Sequence, residues 1–298
     1  MILSIQKIVM NRKSLINNKM NIGIVGLGLI GGSIGLKLQK YNHIVYGLAN
    51  NATNKEKALE RKLANHVSCD PEILKECNLI ILALPIKDLI NPSKALVKAI
   101  PPDSVLTDVG SIKLPIIKTW EKLHPCFIGS HPMAGNELKG VNSGNEELLN
   151  DAKWIITPTI KSNKRAISQL SKLIISIGCE LCNTSPKEHD QAVALISHLP
   201  IFIASTLVET VNIKQNNSLL ELAQKLASTG FADTSRVGGG NPQLGVDIAT
   251  NNQTYLLEAL KSFKENINIL ENLIIEKDWD SLLKKLHDSK EYRTSFCK

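Results

Sequence analysis

A glycine-rich turn near the start of the chain constrains the fold more than any other feature. Gly26, Gly28 and Gly31 form the pattern G-x-G-x-x-G, which follows the apolar run I-G-I-V and opens an apolar stretch. This strand-to-helix context is what the motif requires. Gly26 permits a tight turn, Gly28 lets a pyrophosphate approach the backbone, and Gly31 lets helix and strand pack closely. With the amides of Leu29 and Ile30 at the helix start, the turn predicts a dinucleotide site.

Short β-rich runs alternate with helical stretches over residues 21–183. The predicted strands are Asn21–Gly26, His43–Leu48, Asn78–Leu84, Val105–Asp108, Cys126–Ser130, Trp154–Thr157 and Cys179–Asn183. This alternation predicts an α/β fold, a Rossmann domain with a doubly wound, mainly parallel sheet. The run N-L-I-I-L-A-L-P is continuously apolar, as expected of a strand covered on both faces. Leu84 and Pro85 at its end are expected to border the cofactor, because ligands bind at the carboxyl ends of such strands.

Helical patterns replace the strands after residue 184. Ser185, Pro186 and Glu188 suit the cap, the first turn and the capping box of a helix, and Pro200 should kink that helix. We therefore predict three segments: a disordered tail or upstream start at 1–20, a Rossmann domain at 21–184, and an all-α substrate and dimerisation domain at 185–298. Within the last segment, apolar residues at a spacing of 4 and 3 predict either a core helix or a homodimer contact. They are Leu256, Leu260, Phe263, Ile267, Leu270 and Ile274.

Composition argues against several classes of partner. The net charge is +7, but basic residues are scattered and aromatic residues make up only 4%, so no nucleic-acid-binding patch is expected. The six cysteines do not form a disulfide framework. Cys179 and Cys182 form C-x-x-C on a predicted strand, where their side chains would point to opposite faces, so neither a metal nor a redox role is expected. No apolar run approaches the ~20 residues of a membrane span, and we expect a cytoplasmic protein without a membrane partner.

The end of the second predicted strand bears on the choice of cofactor. Sites for NAD place an acidic residue there to bind the ribose hydroxyls. Residues 46–55, Y-G-L-A-N-N-A-T-N-K, contain no acid. Asn50, Asn51 and Thr53 could instead donate hydrogen bonds to a 2′-phosphate. We therefore expect NADP as the cofactor, with NAD less favoured, although no arginine is present.

Three further segments combine polar residues with turn chemistry. T-D-V-G-S-I-K at 107–113 and G-S-H-P-M-A-G-N-E at 129–137 follow predicted strands, and G-F-A-D-T-S-R at 230–236 lies in the helical region. Together with G-L-G-L-I-G-G-S at the glycine turn, S-H-L-P at 197–200 and the following G-N-P, these motifs resemble the prephenate/arogenate dehydrogenase family of tyrosine biosynthesis. The resemblance covers residues 21 to at least 252.

The resemblance implies oxidative decarboxylation of a small cyclohexadienol. Hydride leaves ring carbon 4, the ring carboxylate leaves as carbon dioxide, and a phenol results. His131 matches the family's catalytic histidine and Ser111 its catalytic serine, while a neutral imidazole suits a proton acceptor near neutral pH. Arg236 matches the arginine that binds the substrate carboxylate. His198 matches a second histidine on the substrate side.

The loop residues bear on side-chain recognition. Asn136 and Glu137 stand where related proteins often carry Thr-Glu, and Glu137 could bind the ammonium of arogenate. Ala232 stands where some relatives carry a lysine that would favour the more anionic prephenate. We therefore favour arogenate over prephenate as the substrate.

Simpler interpretations exist for several of these residues. Ser111 could cap the following helix, His198 could bond a carbonyl freed by Pro200, Arg236 could lie on the surface, and Glu137 could cap a loop. The other histidines are expected to be structural; they are His43, His66, His124, His189 and His287. For the whole chain, the alternatives are another Rossmann reductase of the β-hydroxyacid dehydrogenase type and a non-enzymatic NADP-sensing module. Neither explains the S-H-P-M-A-G loop or the combination of serine, histidine and arginine.

Overall fold

The structure is a computed structural model that describes residues 19–136, 138–213 and 217–296. Its first part is a sheet of eight strands flanked by helices. The strands are β1 Asn21–Val25, β2 Ile44–Leu48, β3 His66–Ser68, β4 Leu79–Leu82, β5 Val105–Asp108, β6 Phe127–Pro132, β7 Lys153–Thr157 and β8 Glu180–Asn183. The intervening helices are α1 Leu29–Lys40, α2 Ala52–Glu60, α3 Ile86–Ile90, α4 Lys94–Ala99, α5 Leu114–Leu123 and α6 Lys164–Ser176.

The strand order is β3-β2-β1-β4-β5-β6-β7-β8, and only the β6–β7 pair is antiparallel. The predicted doubly wound, mainly parallel sheet is therefore confirmed. The order reverses between β1 and β4, and a ligand crevice opens outside the carboxyl ends of strands at such a point. Strand β3 was not predicted; it has three residues and pairs with β2 at the sheet edge.

Both faces of the sheet are covered by apolar side chains, which explains why β4 is buried along its whole length. One core cluster includes Ile22, Ile24, Leu79 and Ile81. The other includes Ile80, which points to the opposite face of β4. Alternate residues of one strand therefore serve two separate cores, as expected when helices pack on both sides of a parallel sheet.

The rest of the described chain is helical. It comprises α7 Pro186–Val193, a π-helical turn Ala194–His198, α8 Leu199–Ile213, α9 Asn217–Leu226, α10 Thr229–Ser235, α11 Pro242–Asn251, α12 Gln253–Ile275 and α13 Trp279–Phe296. The capping box at Ser185 and Glu188 is present. At the expected kink, the helix widens into the π-helical turn just before Pro200. The predicted tail lies almost entirely outside the described residues.

One helical segment corrects an expectation. Pro186–Asn212 has the length and mean hydropathy, 1.7, of a membrane-crossing helix, although only 22% of its apolar window is buried in the chain. The statement that no apolar run approaches a membrane span was therefore wrong. The same segment carries buried Asp190 and His198, which are hydrogen-bonded to other elements. Such bonds are those of a helix packed into a globular domain.

The apolar seam of α12 divides into two parts. Leu256 is only 3% exposed and packs in a small core with Ile112 and Ile248, which joins the helical region to the sheet region. Ile267 is 46% exposed and Ile274 is 53% exposed. The first turns of the helix therefore belong to the core of the chain, and the later turns present an apolar surface.

Candidate active site

The glycine turn has the shape that a dinucleotide needs. Gly26 has φ +92°, and a Cβ there would lie 2.4 Å from the carbonyl oxygen of Ala83. A Cβ on Gly31 would lie 1.9 Å from the carbonyl oxygen of Gly26, whereas a Cβ on Gly28 would meet nothing within 4 Å. The first and third glycines are thus required by the fold, and the second leaves open space. These features fit a bound pyrophosphate.

The start of α1 supplies the donors for that anion. Gly28 is the N-cap of α1 and makes no capping bond with a side chain. The amides of Leu29, Ile30 and Gly31 therefore precede the first intrahelical bond, in which the amide of Gly32 donates to Gly28. Leu84 lies beside Gly26, and the exposed Pro85 is the N-cap of α3. The structure places these predicted cofactor residues at one edge of the sheet.

The turn after β2 presents amide side chains. Asn51 is the N-cap of α2, and its side-chain oxygen accepts from the amide of Asn54. The side-chain oxygen of Asn50 accepts from Asn54 Nδ2 at 2.7 Å, so its own amide group remains a donor. Asn50, Asn51 and Thr53 are all exposed at this helix start. No acidic residue lies between Leu48 and Lys55.

A chain of hydrogen bonds ends at His131, the half-buried residue near the end of β6. His131 Nδ1 lies 3.0 Å from Nε2 of His189, and His189 Nδ1 lies 2.8 Å from Oδ1 of Asp190. His189 and Asp190 are buried in α7. His189, which the sequence analysis placed among the structural histidines, thus contacts the predicted catalytic histidine. The adjacent pair His-Asp was the only local signal for it.

Asp190 is held by the start of α5. Its Oδ1 accepts from the amide of Lys113 at 2.7 Å, and its Oδ2 accepts from the amide of Leu114 at 2.8 Å. A carboxylate at a helix N-terminus satisfies free amides and is stabilised by the helix dipole. Ser111 lies in the preceding turn, half-buried, and the helix is capped by Asp190 from α7. The interpretation of Ser111 as the cap of this helix is therefore wrong.

The hydrogen-bond chain fixes the tautomers of both histidines. Carboxylate oxygens of Asp190 only accept, so His189 carries its proton on Nδ1. His189 Nε2 then accepts from Nδ1 of His131, and the lone pair of His131 lies on Nε2. The pKa of His131 is held well below its ordinary value of 6.5, mainly by burial. The nearby His189, Lys113 and His198 lower it further. The arrangement keeps a neutral imidazole with a proton-accepting Nε2.

A buried ion pair braces the strands that carry these groups. Lys113 Nζ contacts the Asp108 carboxylate and donates to the carbonyl of Ser130 at 2.6 Å. Asp108 also accepts from the amides of Gly110 and Ser130. Burial raises the pKa of Asp108 and lowers that of Lys113, and their mutual attraction opposes both shifts. The pair ties the end of β5 to the residue before His131.

His198 lies in the π-helical turn and is fully buried. Its Nδ1 lies 3.1 Å from the side-chain nitrogen of Asn252, and its Nε2 has no hydrogen-bond partner among the described residues. Burial lowers the pKa of His198 to about 4. Since Nδ1 of His198 contacts Asn252 and Nε2 has no partner among the described residues, His198 does not bond a carbonyl freed by Pro200. The buried, unpaired Nε2 points to a ligand.

The other predicted substrate-binding residues that the structure describes make no hydrogen bond with His131, His189 or His198. Arg236 is exposed at the start of the 3-10 turn Arg236–Gly239, which packs on α8 through Gly238, and it makes no ion pair with any described residue. Asn136 is exposed, and its side-chain oxygen accepts from the amide of Leu138. Glu137 lies outside the described residues.

Two family models together match most of the chain. Residues 34–183 match the nucleotide-binding domain of prephenate dehydrogenase, and residues 185–288 match its dimerization domain. The prephenate dehydrogenase of Bacillus subtilis is 30% identical over 283 residues, covering 92% of this chain and 76% of that protein. The cyclohexadienyl dehydrogenase of Zymomonas mobilis is 31% identical over 280 residues, covering 92% and 94%.

Solved structures agree with this result. The arogenate dehydrogenase of Synechocystis is 36% identical with a TM-score of 0.79, over 93% of this chain and 100% of that one. The prephenate dehydrogenase of A. aeolicus, in complex with hydroxyphenyl propionate and NAD+, is 26% identical with a TM-score of 0.87, over 94% and 99%. Fold and glycine turn thus define a dehydrogenase with a Rossmann nucleotide-binding domain and a helical dimerization domain. The chain belongs to the prephenate/arogenate dehydrogenase family.

Proposed function

We propose that the chain converts arogenate to tyrosine by oxidative decarboxylation linked to NADP. The observation that carries this proposal is the series of hydrogen bonds from Asp190 through His189 to His131. It ends in a neutral imidazole able to accept a proton. A nicotinamide cofactor, when bound at the glycine turn, supplies the acceptor for the hydride. The protein's own task is to orient the substrate, take the proton of the carbon 4 hydroxyl and bind the carboxylates.

His131 accepts the hydroxyl proton on Nε2 as the hydride leaves carbon 4. Its low pKa keeps it unprotonated before the reaction, and Asp190 supports the positive charge that develops along the two imidazoles. Ser111, in the turn after β5, positions the same hydroxyl. Loss of the ring carboxylate as carbon dioxide then gives the aromatic product, a step that the formation of the aromatic ring drives.

Two groups of the helical region bind the substrate. His198 presents its unpaired Nε2, and Arg236 offers a guanidinium fork that matches a carboxylate. Asn136 and Glu137 are the proposed recognition residues for the substrate side chain, because the carboxylate of a glutamate would favour the ammonium of arogenate. Ala232 adds no cation that would favour prephenate. The similarity to the Synechocystis arogenate dehydrogenase supports the same choice.

The cofactor preference rests on the turn after β2. The free amide group of Asn50 and the start of α2 provide donors for a 2′-phosphate, and no carboxylate repels it. We expect a lower KM for NADP than for NAD. Asn50→Asp should reverse the preference, because the carboxylate keeps the bond from Asn54 but repels the phosphate. Equal or reversed values in the unaltered protein would remove NADP from the proposal.

The enzyme is further proposed to act as a cytoplasmic homodimer through its helical region. The matched dimerization domain supports the assembly, and the exposed turns of α12 provide an apolar surface for it.

Absorbance at the nicotinamide band tests the activity directly. Arogenate and prephenate are each supplied with NADP and with NAD, and hydroxy acids serve as the control panel. We expect the highest kcat/KM with arogenate and NADP. A higher value with prephenate would change the substrate, and turnover of hydroxy acids alone would refute the reaction.

Two variants test the assigned roles. His131→Asn should lower kcat by about 10²–10⁴-fold without weakening NADP binding, since only proton acceptance is lost. Arg236→Gln should mainly raise the KM for the substrate. Near-normal kinetics in either variant would reject the role of that residue.

A further inference from the structure

The joint between α11 and α12 places an amide side chain against His198. Asn252 is only 4% exposed, its backbone amide donates to Ile248, and its carbonyl accepts from Leu256. Its side-chain nitrogen lies 2.9 Å from the carbonyl oxygen of Asp190 and 3.1 Å from His198 Nδ1. The residue therefore joins three parts of the helical region at one point.

Only one orientation of this amide satisfies both contacts. A carbonyl oxygen can only accept, so the atom facing Asp190 must be the nitrogen of Asn252 and not its oxygen. One of its two hydrogens goes to Asp190 and the other points at His198 Nδ1. That ring nitrogen must then be the acceptor, because a proton on it would face a second donor.

We infer that Asn252 is a positioning residue that fixes His198 in the tautomer protonated on Nε2. The buried Nε2, which has no partner among the described residues, is thereby a hydrogen-bond donor and not an acceptor. A donor at this position recognises a carboxylate or carbonyl oxygen of the substrate. This role rests on the proposed function, because it assumes that His198 contacts the substrate.

The same residue connects the two histidines of the site. Asn252 bonds the backbone of Asp190, whose side chain orients His189 and, through it, His131. The side-chain amide of Asn252 therefore bonds α7, the helix that carries Asp190 and His189. The same amide makes Nε2 of His198 a donor toward the substrate. The two imidazoles receive opposite polarities: His131 Nε2 accepts, and His198 Nε2 donates.

Nuclear magnetic resonance of the histidine nitrogens tests the tautomer independently of turnover. The full-length protein is labelled with 15N in histidine only, and the signals of His198 are identified by their loss in His198→Gln. We expect Nε2 of His198 to be protonated and Nδ1 to be unprotonated in the unaltered protein. The opposite assignment would overturn the inference, and the result does not depend on whether any Asn252 variant folds.

Asn252→Asp supplies the kinetic test. The carboxylate is nearly the same size but accepts, so it should move the His198 proton to Nδ1 and raise the substrate KM about tenfold to a hundredfold. The KM for NADP should not change. Asn251→Asp is the matched control, because the side chain of Asn251 bonds Asp247 instead. An unchanged tautomer or an unchanged substrate KM in a folded Asn252→Asp protein would overturn the inference.

A double-mutant cycle separates positioning from a general structural effect. In His198→Gln, the amide side chain supplies a donor whose polarity no longer depends on Asn252. Adding Asn252→Asp to that protein should change the substrate KM by less than about threefold. A full additive loss would show that Asn252 acts through the fold. If neither arogenate nor prephenate is turned over, the proposed function fails, while the resonance measurement still decides the tautomer.

Discussion

Replacing His189 with leucine removes the acceptor that orients His131. In the native chain, Nε2 of His189 lies 3.0 Å from His131 Nδ1 and keeps the proton on that nitrogen. Leucine is of similar size and leaves Asp190 bonded to the amides of Lys113 and Leu114. The helix cap therefore survives, and the change acts on the tautomer of His131.

The size of the effect follows from the cost of a buried unpaired donor. With leucine at 189, the productive tautomer of His131 would leave its Nδ1–H without a partner, which costs about 1–3 kcal/mol. This penalty lowers the population of that tautomer by about fivefold to 150-fold. We expect kcat to fall by the same factor, which is smaller than or just reaches the ~10²–10⁴-fold loss expected when the general base itself is removed.

His189→Gln is the matched control. A glutamine oxygen can accept from His131 Nδ1, so the productive tautomer should persist and kcat should stay within about fivefold of the native value. Steady-state kinetics at saturating arogenate and NADP measure kcat, and cofactor fluorescence checks that NADP binding is intact. Native kcat in His189→Leu would refute the tautomer argument. An equal loss in His189→Gln would show that a second imidazole is itself required to carry the charge.

Two further outcomes follow from burial and exposure. His198 has a pKa of about 4 when folded and an ordinary value of 6.5, so the unfolded chain binds more protons between these limits. Stability should therefore fall by about 3 kcal/mol as the pH drops through this window, and denaturant unfolding should show a smaller fall in His198→Gln. Paired Ile267→Glu and Ile274→Glu substitutions should halve the mass seen by light scattering, whereas Lys261→Glu on the same helix should not. An unchanged mass would place the dimer contact elsewhere.

The parts of the structure that depend on neighbouring residues could be predicted from the sequence. The glycine turn is local, because Gly26 has φ +92° and a Cβ on Gly31 would lie 1.9 Å from the carbonyl oxygen of Gly26. The capping box at Ser185 and the strand that carries His131 are local in the same sense. Strand β3 was missed because three residues are too few for a periodic pattern.

The parts of the site that depend on distant contacts could not be predicted. His189 meets His131 only because α7 packs its Asp190 onto the start of α5. Asn252 meets His198 across 54 positions of the chain. Apart from the aspartate that follows His189, nothing in the sequence near His189 or Asn252 distinguishes them from the histidines and asparagines that lie elsewhere on helices.

The helical region contacts the proposed proton acceptor of the sheet region. Asp190 reaches from α7 to cap α5, a helix of the sheet region, so the tautomer of His131 is set by a side chain outside its own domain. Any shift of α7 away from α5 would free two amides and release His189 at the same time. If the proposed site is correct, substrate binding by His198 and orientation of His131 both depend on this contact between the regions. A variant that loosens this contact should lose kcat before it loses cofactor binding, because the glycine turn lies wholly within the sheet region.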